Sequence, residues 1–216
     1  MHLSLQGIPR KYRPGYREIV LACFAAGLLP DTVGSVLDVG CGNGRLARLV
    51  MEQRPMIQLK GIDVVRQDNT AIPVELYDGK VFPYENGSFD AVMIMDMLHH
   101  ADNALVVLRE ASRVSRKYVV IKDHLANGIS ARLRLRFMDY VGNYVGHKRF
   151  GVPLPYNFLS SAGWKEMYDA SGLSVVESRQ SMKLYPPVLQ LIFGRGLQFF
   201  VLLEKTMFEP PSGGKE

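Results

Sequence analysis

Cysteine is scarce in this chain, with two among 216 residues, Cys23 and Cys41. They fit no metal or disulfide spacing, so a disulfide-stapled scaffold and a cysteine-held zinc site are excluded and a reducing compartment is suggested. Internal repeats and low-complexity tracts are absent, which removes solenoid and linker-like readings. Long uninterrupted apolar runs are missing too. Pro186 to Leu203 is broken by Gln190, Arg195 and Gln198 and falls short of a bilayer span. Ile19 to Leu29 follows Arg10, Lys11, Arg13 and Arg17 as a secretory signal would, but Glu18 abuts it, no A-x-A site follows, and Pro30-Asp31 ends it. That segment reads as a leading helix within 14–29, with Ile19, Cys23, Ala26 and Leu29 on one face. A cytoplasmic location is the expectation. The excess of one charge sign is small, 26 Lys and Arg against 21 Asp and Glu, giving +5. Such a tilt is compatible with an anionic partner without demanding one. What remains is an ordinary globular composition, 47% hydrophobic and 22% charged, and a single domain over 1–216.

From Ser35 onward, short β-rich runs alternate with helical segments. Val36–Val39, Gln58–Val64, Val74–Tyr77, Phe89–Met95 and Tyr118–Lys122 read as strands; Arg45–Gln53 and Ala101–Val114 read as helices. Trp164–Ser171 is a further helix, and Leu173–Ser178 and Phe199–Glu204 are two more strands. Strands separated by helices imply an α/β fold with a mostly parallel sheet and helices on both faces. An insert at about 124–161 interrupts the pattern. Its Leu133, Phe137, Val141 and Tyr144 follow i, i+4, i+8, i+11, which favours a helix, and segments of this kind near a site often act as lids. From Ile129 to Phe150 it carries Arg132, Arg134, Arg136, Lys148 and Arg149 against Asp139 alone. An acidic acceptor or a peripheral membrane surface could use that field.

The strongest chemical signal is Val36-Leu37-Asp38-Val39-Gly40-Cys41-Gly42-Asn43-Gly44 at the end of the first strand and before a helix. Glycines there allow a tight turn and close approach of a ligand, and the helix beyond offers free N–H groups and a partial positive charge. Nineteen residues after Gly44, Asp63 ends the second strand, where a carboxylate can accept hydrogen bonds from both ribose hydroxyls. A dinucleotide fingerprint would need glycine where Arg45 stands, and the G-x-x-x-x-G-K-S/T of a phosphate loop is absent.

These residues resemble the class I S-adenosylmethionine-dependent methyltransferases, particularly those acting on small molecules and lipids. The resemblance covers roughly Val33 to Lys122. It rests on Val36–Gly44, on Gly61-Ile62-Asp63-Val64, on Tyr77-Asp78-Gly79, on Phe82-Pro83-Tyr84 leading to Phe89-Asp90, and on Asp96-Met97-Leu98-His99-His100. It implies a Rossmann-like seven-stranded sheet with an antiparallel last strand, and S-adenosyl-L-methionine as cofactor. By that resemblance the cofactor lies against Asp38, Gly40, Cys41, Gly42 and Gly44, with Asp63 and Val64 at the ribose, Asp78 and Gly79 at the adenine, and Asp96 and Met97 at the methionine moiety. Asp38 could equally bond its own loop, and Asp78-Gly79 is also a plain turn signal. Cys41 would present its backbone, not a nucleophile.

His99 and His100 follow the fourth strand and His124 the fifth, at the edge where open α/β sheets bind ligands. His124 and His100 are the candidate general bases for a hydroxyl, phenol or amine. Tyr140, Asn143, Tyr144 and Tyr156 are candidates to line an acceptor pocket, or to anchor the insert by packing. The expected partner is a small-molecule acceptor, aromatic or lipid-like, methylated on oxygen or nitrogen. Two other readings stay open. One is an RNA or protein methyltransferase, against which no nucleic-acid module and no Asn-Pro-Pro-Tyr-like segment is found; the other is a non-catalytic, methyltransferase-like partner-binding subunit. No metal site and no oligomeric state can be read.

Overall fold

In the computed structural model of the chain, residues 15–142, 157–180, 182–185, 187, 190 and 196–206 are described. In chain order the elements are α1 (Tyr16–Leu28), β1 (Ser35–Val39), α2 (Arg45–Gln53), β2 (Gln58–Asp63), β3 (Val74–Leu76), β4 (Phe89–Met95), a 3₁₀ turn (Leu98–His100), α3 (Ala104–Val114), β5 (Ser115–His124), α4 (Ile129–Gly142), α5 (Ser161–Ala170), β6 (Leu173–Arg179) and β7 (Gln198–Lys205). Apolar runs such as Val119-Val120-Ile121 have no polar alternate face. That is the mark of a strand covered on both sides.

The seven strands form one sheet in the order β3-β2-β1-β4-β5-β7-β6. Neighbours from β3 to β5 pair parallel, and β7 runs antiparallel to both β5 and β6. The chain winds outward from β1 to β3, then returns to place β4 on the other side of β1. A crevice therefore opens beyond the carboxyl ends of β1 and β4, where the strand order reverses. Successive side chains alternate between two cores. Val36, Ala91, Met93, Val120 and Phe200 meet α1 and α2, while Leu37, Val92, Ile94, Val119, Ile121 and Val201 meet α3 and α5.

The elements fall within a few residues of the sequence expectation, with two instructive differences. β5 is longer than expected and carries buried Lys122, Asp123 and His124 at its end. On α1 the buried residues are Leu21, Ala22, Ala25, Ala26 and Leu28, whereas Cys23 is exposed. The small alanines let α1 lie close on its neighbours, so the packed stripe is rotated from the one expected. The insert does begin as a helix, α4, and its inner residues Ala131 and Leu135 pack with Ala126, Phe158 and Leu197. Among the described residues no helix is long and apolar enough to cross a membrane.

Candidate active site

The loop after β1 is built as its glycines require. Gly40, Gly42 and Gly44 all take positive φ, between 55° and 72°. At Gly40 (φ 69°) a Cβ would stand 2.4 Å from Cγ of Met97, so only glycine lets this loop touch the segment after β4. At Gly42 (φ 55°) the same atom would meet nothing within 4 Å, which leaves open space above the loop. The Gly40 N–H donates to Ile62 O (2.8 Å), and the Gly42 N–H donates to Oδ2 of Asp63 (2.7 Å). Oδ1 of Asp63 accepts from the Val65 N–H (2.9 Å). Each Asp63 oxygen keeps a lone pair for a further donor. Gly44 caps α2, whose first turn points its free N–H groups toward the same loop.

Asp38 is buried in β1, and its carboxyl has no hydrogen-bond partner among the described residues. Burial, with the nearby Asp63 charge, pushes it up to about 8. A buried acid in that condition is an incomplete pair, suited to a cationic ligand group. Burial, helped by Asp38 and Asp63, pushes the Cys41 thiol above its ordinary range, so Cys41 offers no thiolate. Val64 is exposed beside Asp63. Oδ1 of Asp78 accepts from the N–H groups of Lys80 and Val81, both at 2.8 Å, and these hold its carboxylate below the usual range. Asp78 thus closes its own turn with one oxygen, and Gly79 lies within that turn.

In the second half of the site, Asp96 and the histidines were legible in the sequence, but the side chains that pair with them were not. Asp96, just beyond β4, has φ of 52°, which is uncommon outside glycine. Its carboxylate forms ion pairs with the fully buried Lys122 of β5 and with Arg17 of α1, 79 residues away. Burial alone would raise the Asp96 carboxyl, but Lys122 and Arg17 outweigh it and hold it well below the ordinary value. Burial pulls Lys122 down to about 8 against the pull of Asp96.

Asp123, also fully buried, faces two histidines. Its Oδ1 lies 2.7 Å from Nδ1 of His99, 2.8 Å from the His124 N–H and 3.2 Å from Nδ1 of His124. Burial would raise the Asp123 carboxyl, yet the two histidines keep it below its ordinary value. Its other oxygen, Oδ2, is buried without a partner among the described residues. Burial, with Lys122 nearby, depresses His124 to about 4, so its imidazole is neutral near pH 7. The His99 ring lies tilted against His100 at 4.0 Å between centroids, meets His124 edge-on at 4.6 Å, and stacks on Phe158 at 5.5 Å. The Trp164 Nε1–H donates to His124 O (2.9 Å) and ties α5 to the end of β5.

The structure therefore brings Asp38, Gly40–Gly44, Asp63, Asp96, Met97, His99, His100 and His124 to one sheet edge. It places Tyr140 on the exposed side of α4. Asn143, Tyr144 and Tyr156 lie outside the described residues. Arg17, Lys122 and Asp123 are the additions. The run Lys122-Asp123-His124 at the end of a β-branched strand was the one available signal, since three polar residues cannot enter a buried strand end unpartnered.

The model of a methyltransferase domain matches residues 9–178. The chain belongs to the methyltransferase domain family. It is 35% identical over 105 residues to 27-O-demethylrifamycin SV methyltransferase of Amycolatopsis mediterranei (strain S699), a match over 42% of this chain and 38% of that protein. The chain thus aligns with well under half the length of that relative. An S-adenosylmethionine-dependent methyltransferase of Mesorhizobium loti superposes with a TM-score of 0.61 at 14% identity, covering 86% of this chain and 98% of that one. The [4+2]-cyclase SpnF superposes at 0.60 with 16% identity, covering 87% and 80%. These two likenesses bear on the fold.

S-adenosyl-L-methionine is the cofactor of this family. The residues present fit it. An open Gly42 cradle lies beside a ribose-competent carboxylate, and the buried unpartnered Asp38 suits the positively charged end of such a molecule.

Proposed function

We propose that the protein methylates a small aromatic or lipid-like acceptor on an oxygen or nitrogen that carries a proton. The observation that carries this reading is the meeting, at one edge, of the Gly40–Asp63 cradle and a histidine held by a buried carboxylate. Asp63 and the loop N–H groups would hold the adenosyl part, Val64 and Asp78 would flank it, and Asp38 would face the charged end. When bound, the cofactor supplies an electrophilic methyl group on a sulfonium, a good leaving group. The chain's own task is then alignment, exclusion of water and removal of one proton, and alignment alone can supply about 7–11 kcal/mol in favourable systems.

Asp123 fixes the proton on Nδ1 of its histidines, which leaves each Nε2 as the acceptor nitrogen. It also stabilises the imidazolium that forms when Nε2 takes the acceptor's proton. His124, depressed to about 4 by its buried setting, is a weak base. His99 is buried as well, and it is the shorter 2.7 Å contact with Asp123 that puts the His99–Asp123 pair ahead of His124 and His100 in this reading. Phe158 lies against both His99 and His124 and gives the acceptor side an apolar wall. The relative named for 27-O-demethylrifamycin SV supports an acceptor that is a small molecule methylated on oxygen.

The test pairs single-turnover methyl transfer with cofactor titration, using a panel of phenols, hydroxylated lipids, bulk RNA and protein. His99→Ala should lower turnover about 10²–10⁴-fold with cofactor affinity nearly unchanged. His124→Ala should cost less. Transfer to RNA or protein alone, or turnover unmoved in His99→Ala, contradicts the assignment.

A further inference from the structure

We propose that His99, Asp123 and His124 form a binding site for one divalent ion of the zinc type, and that the filled site takes His99 out of proton transfer. The three side chains meet where the 3₁₀ turn after β4 packs on the end of β5, and all are buried, at 3%, 0% and 6% exposure. Each offers one ligand atom within 4.8 Å of the other two. Among the described residues no other three His, Cys, Asp or Glu side chains converge in this way. Around Oδ1 of Asp123, Nδ1 of His99 stands at 2.7 Å and Nδ1 of His124 at 3.2 Å. Zinc holds nitrogen and carboxylate oxygen at about 2.0–2.2 Å, so the donors of a tetrahedral site lie about 3.3 Å apart. The His124 contact already has that spacing, and the His99 contact reaches it by opening about half an ångström. The other Asp123 oxygen argues for the same occupant. Oδ2 is buried without a hydrogen-bond donor among the described residues. A buried carboxylate oxygen in that state is unfavourable, and a cation relieves it.

The donor set selects the ion. Two imidazole nitrogens and one carboxylate are the borderline ligands of zinc and its first-row neighbours, whereas magnesium and calcium require oxygen ligands. Three protein ligands leave a fourth position for water, the composition of an open zinc site. Local charge permits it. Lys122, the buried cation next to Asp123 in the chain, is already paired with Asp96, so Asp123 is the carboxylate left facing the histidines. Supporting contacts hold the ligands as metal sites require. The Trp164 Nε1–H fixes the His124 carbonyl at 2.9 Å, and Phe158 lies against both rings. Ion binding stands on this geometry alone, whereas its consequence for catalysis rests on the base assigned above to His99. With the ion on Nδ1, the proton that Asp123 held there moves to Nε2 of the neutral ring. Nε2 is the atom that otherwise accepts the proton of the methyl acceptor. Filling and emptying the site thus turns proton transfer off and on, without touching the Gly40–Asp63 cradle.

The experiment is equilibrium dialysis of Zn²⁺ against the full chain, untagged and stripped beforehand with a chelator, together with the visible spectrum of the Co²⁺ form. One equivalent of zinc should bind and raise the melting temperature. Co²⁺ should give the intense absorption of a four-coordinate site without the charge-transfer band of a thiolate. His124→Ala and, separately, His99→Ala should weaken zinc binding about 100-fold or more. Cys23→Ser, at an exposed position, should leave it unchanged. Zinc should also stop single-turnover methyl transfer by the wild type, and a chelator should restore it. The site is overturned by no binding, by binding indifferent to both histidine variants, by its loss in Cys23→Ser, or by a thiolate band in the Co²⁺ form. Turnover that persists with zinc bound, in a chain that His99→Ala slows, overturns the switch. Turnover unmoved by His99→Ala removes the base itself and the switch with it, and the dialysis, which needs neither acceptor nor cofactor, reads that failure apart from the site.

Discussion

Asp38 and Asp63 lie near the carboxyl ends of adjacent parallel strands, and the field between them gives the site a pH signature. The Asp38 carboxyl ordinarily titrates near 3.8 and is raised to about 8 in the fold. The folded chain therefore holds a proton that the unfolded chain loses between those values, and this contribution to stability fades as pH rises through 8. A cation placed beside Asp38 favours its ionised form. Binding of S-adenosylhomocysteine, whose amine is positive, should release up to one proton between about pH 6 and 8. Calorimetry in buffers of different ionisation heat measures that release, and Asp38→Asn should abolish it. Equal heats in all buffers would show that Asp38 does not meet the ligand. Much of this half of the site was legible, because loop glycines and the next strand's acid lie close in sequence. The pairings in the other half were not: Arg17 meets Asp96 across 79 residues, and His99 meets Asp123 across 24. No local spacing encodes such pairs; they exist because β4 and β5 are neighbours and α1 covers their shared face.

Among the elements, the first loop and the segment after β4 meet too closely for any side chain at Gly40. Gly40→Ala would drive a methyl group against Met97 at a backbone angle that alanine avoids. We expect a loss of about 1–3 kcal/mol by denaturant unfolding, together with weakened cofactor binding. Unchanged stability would mean that the loop relaxes away from Met97. Arg113 on α3 performs a similar joining role. It donates to the Phe82, Tyr84 and Asn86 oxygens at 3.1, 2.7 and 3.1 Å and pairs with Glu110, which itself accepts from the Phe82 N–H. Arg113→Ala should lower the thermal midpoint and loosen the approach to β4, which hydrogen exchange over residues 82–88 would report. Strands and helices were readable because burial on both faces leaves an unmistakable apolar run. Faces were harder. The periodicity of Leu133 and Phe137 indicated a helix but not that this side would look outward, since α4 is apolar on two sides and only packing selects one.

At the scale of the molecule, one sheet reversal gathers everything proposed to act. The expectation of an α/β sheet and the seven strand candidates followed from alternation of elements, whereas their union in one sheet with an antiparallel last strand came from resemblance to a family. SpnF, a cyclase, superposes on the same frame, so chemistry must be argued from the side chains at the edge and not from the sheet. Those side chains make cofactor recognition the decisive property. Ligand at roughly 100 times its dissociation constant should stabilise the fold by about 2.7 kcal/mol. For a chain of this size that raises the melting temperature by about 5–11 °C. The most direct measurement is calorimetric titration of S-adenosylhomocysteine into the purified chain and into Asp63→Ala, with a nicotinamide dinucleotide as control. One saturable site for the adenosyl ligand, weakened about 10–100-fold in Asp63→Ala and blind to the dinucleotide, is the expected result. Binding of the dinucleotide instead, or an affinity indifferent to Asp63, would contradict it.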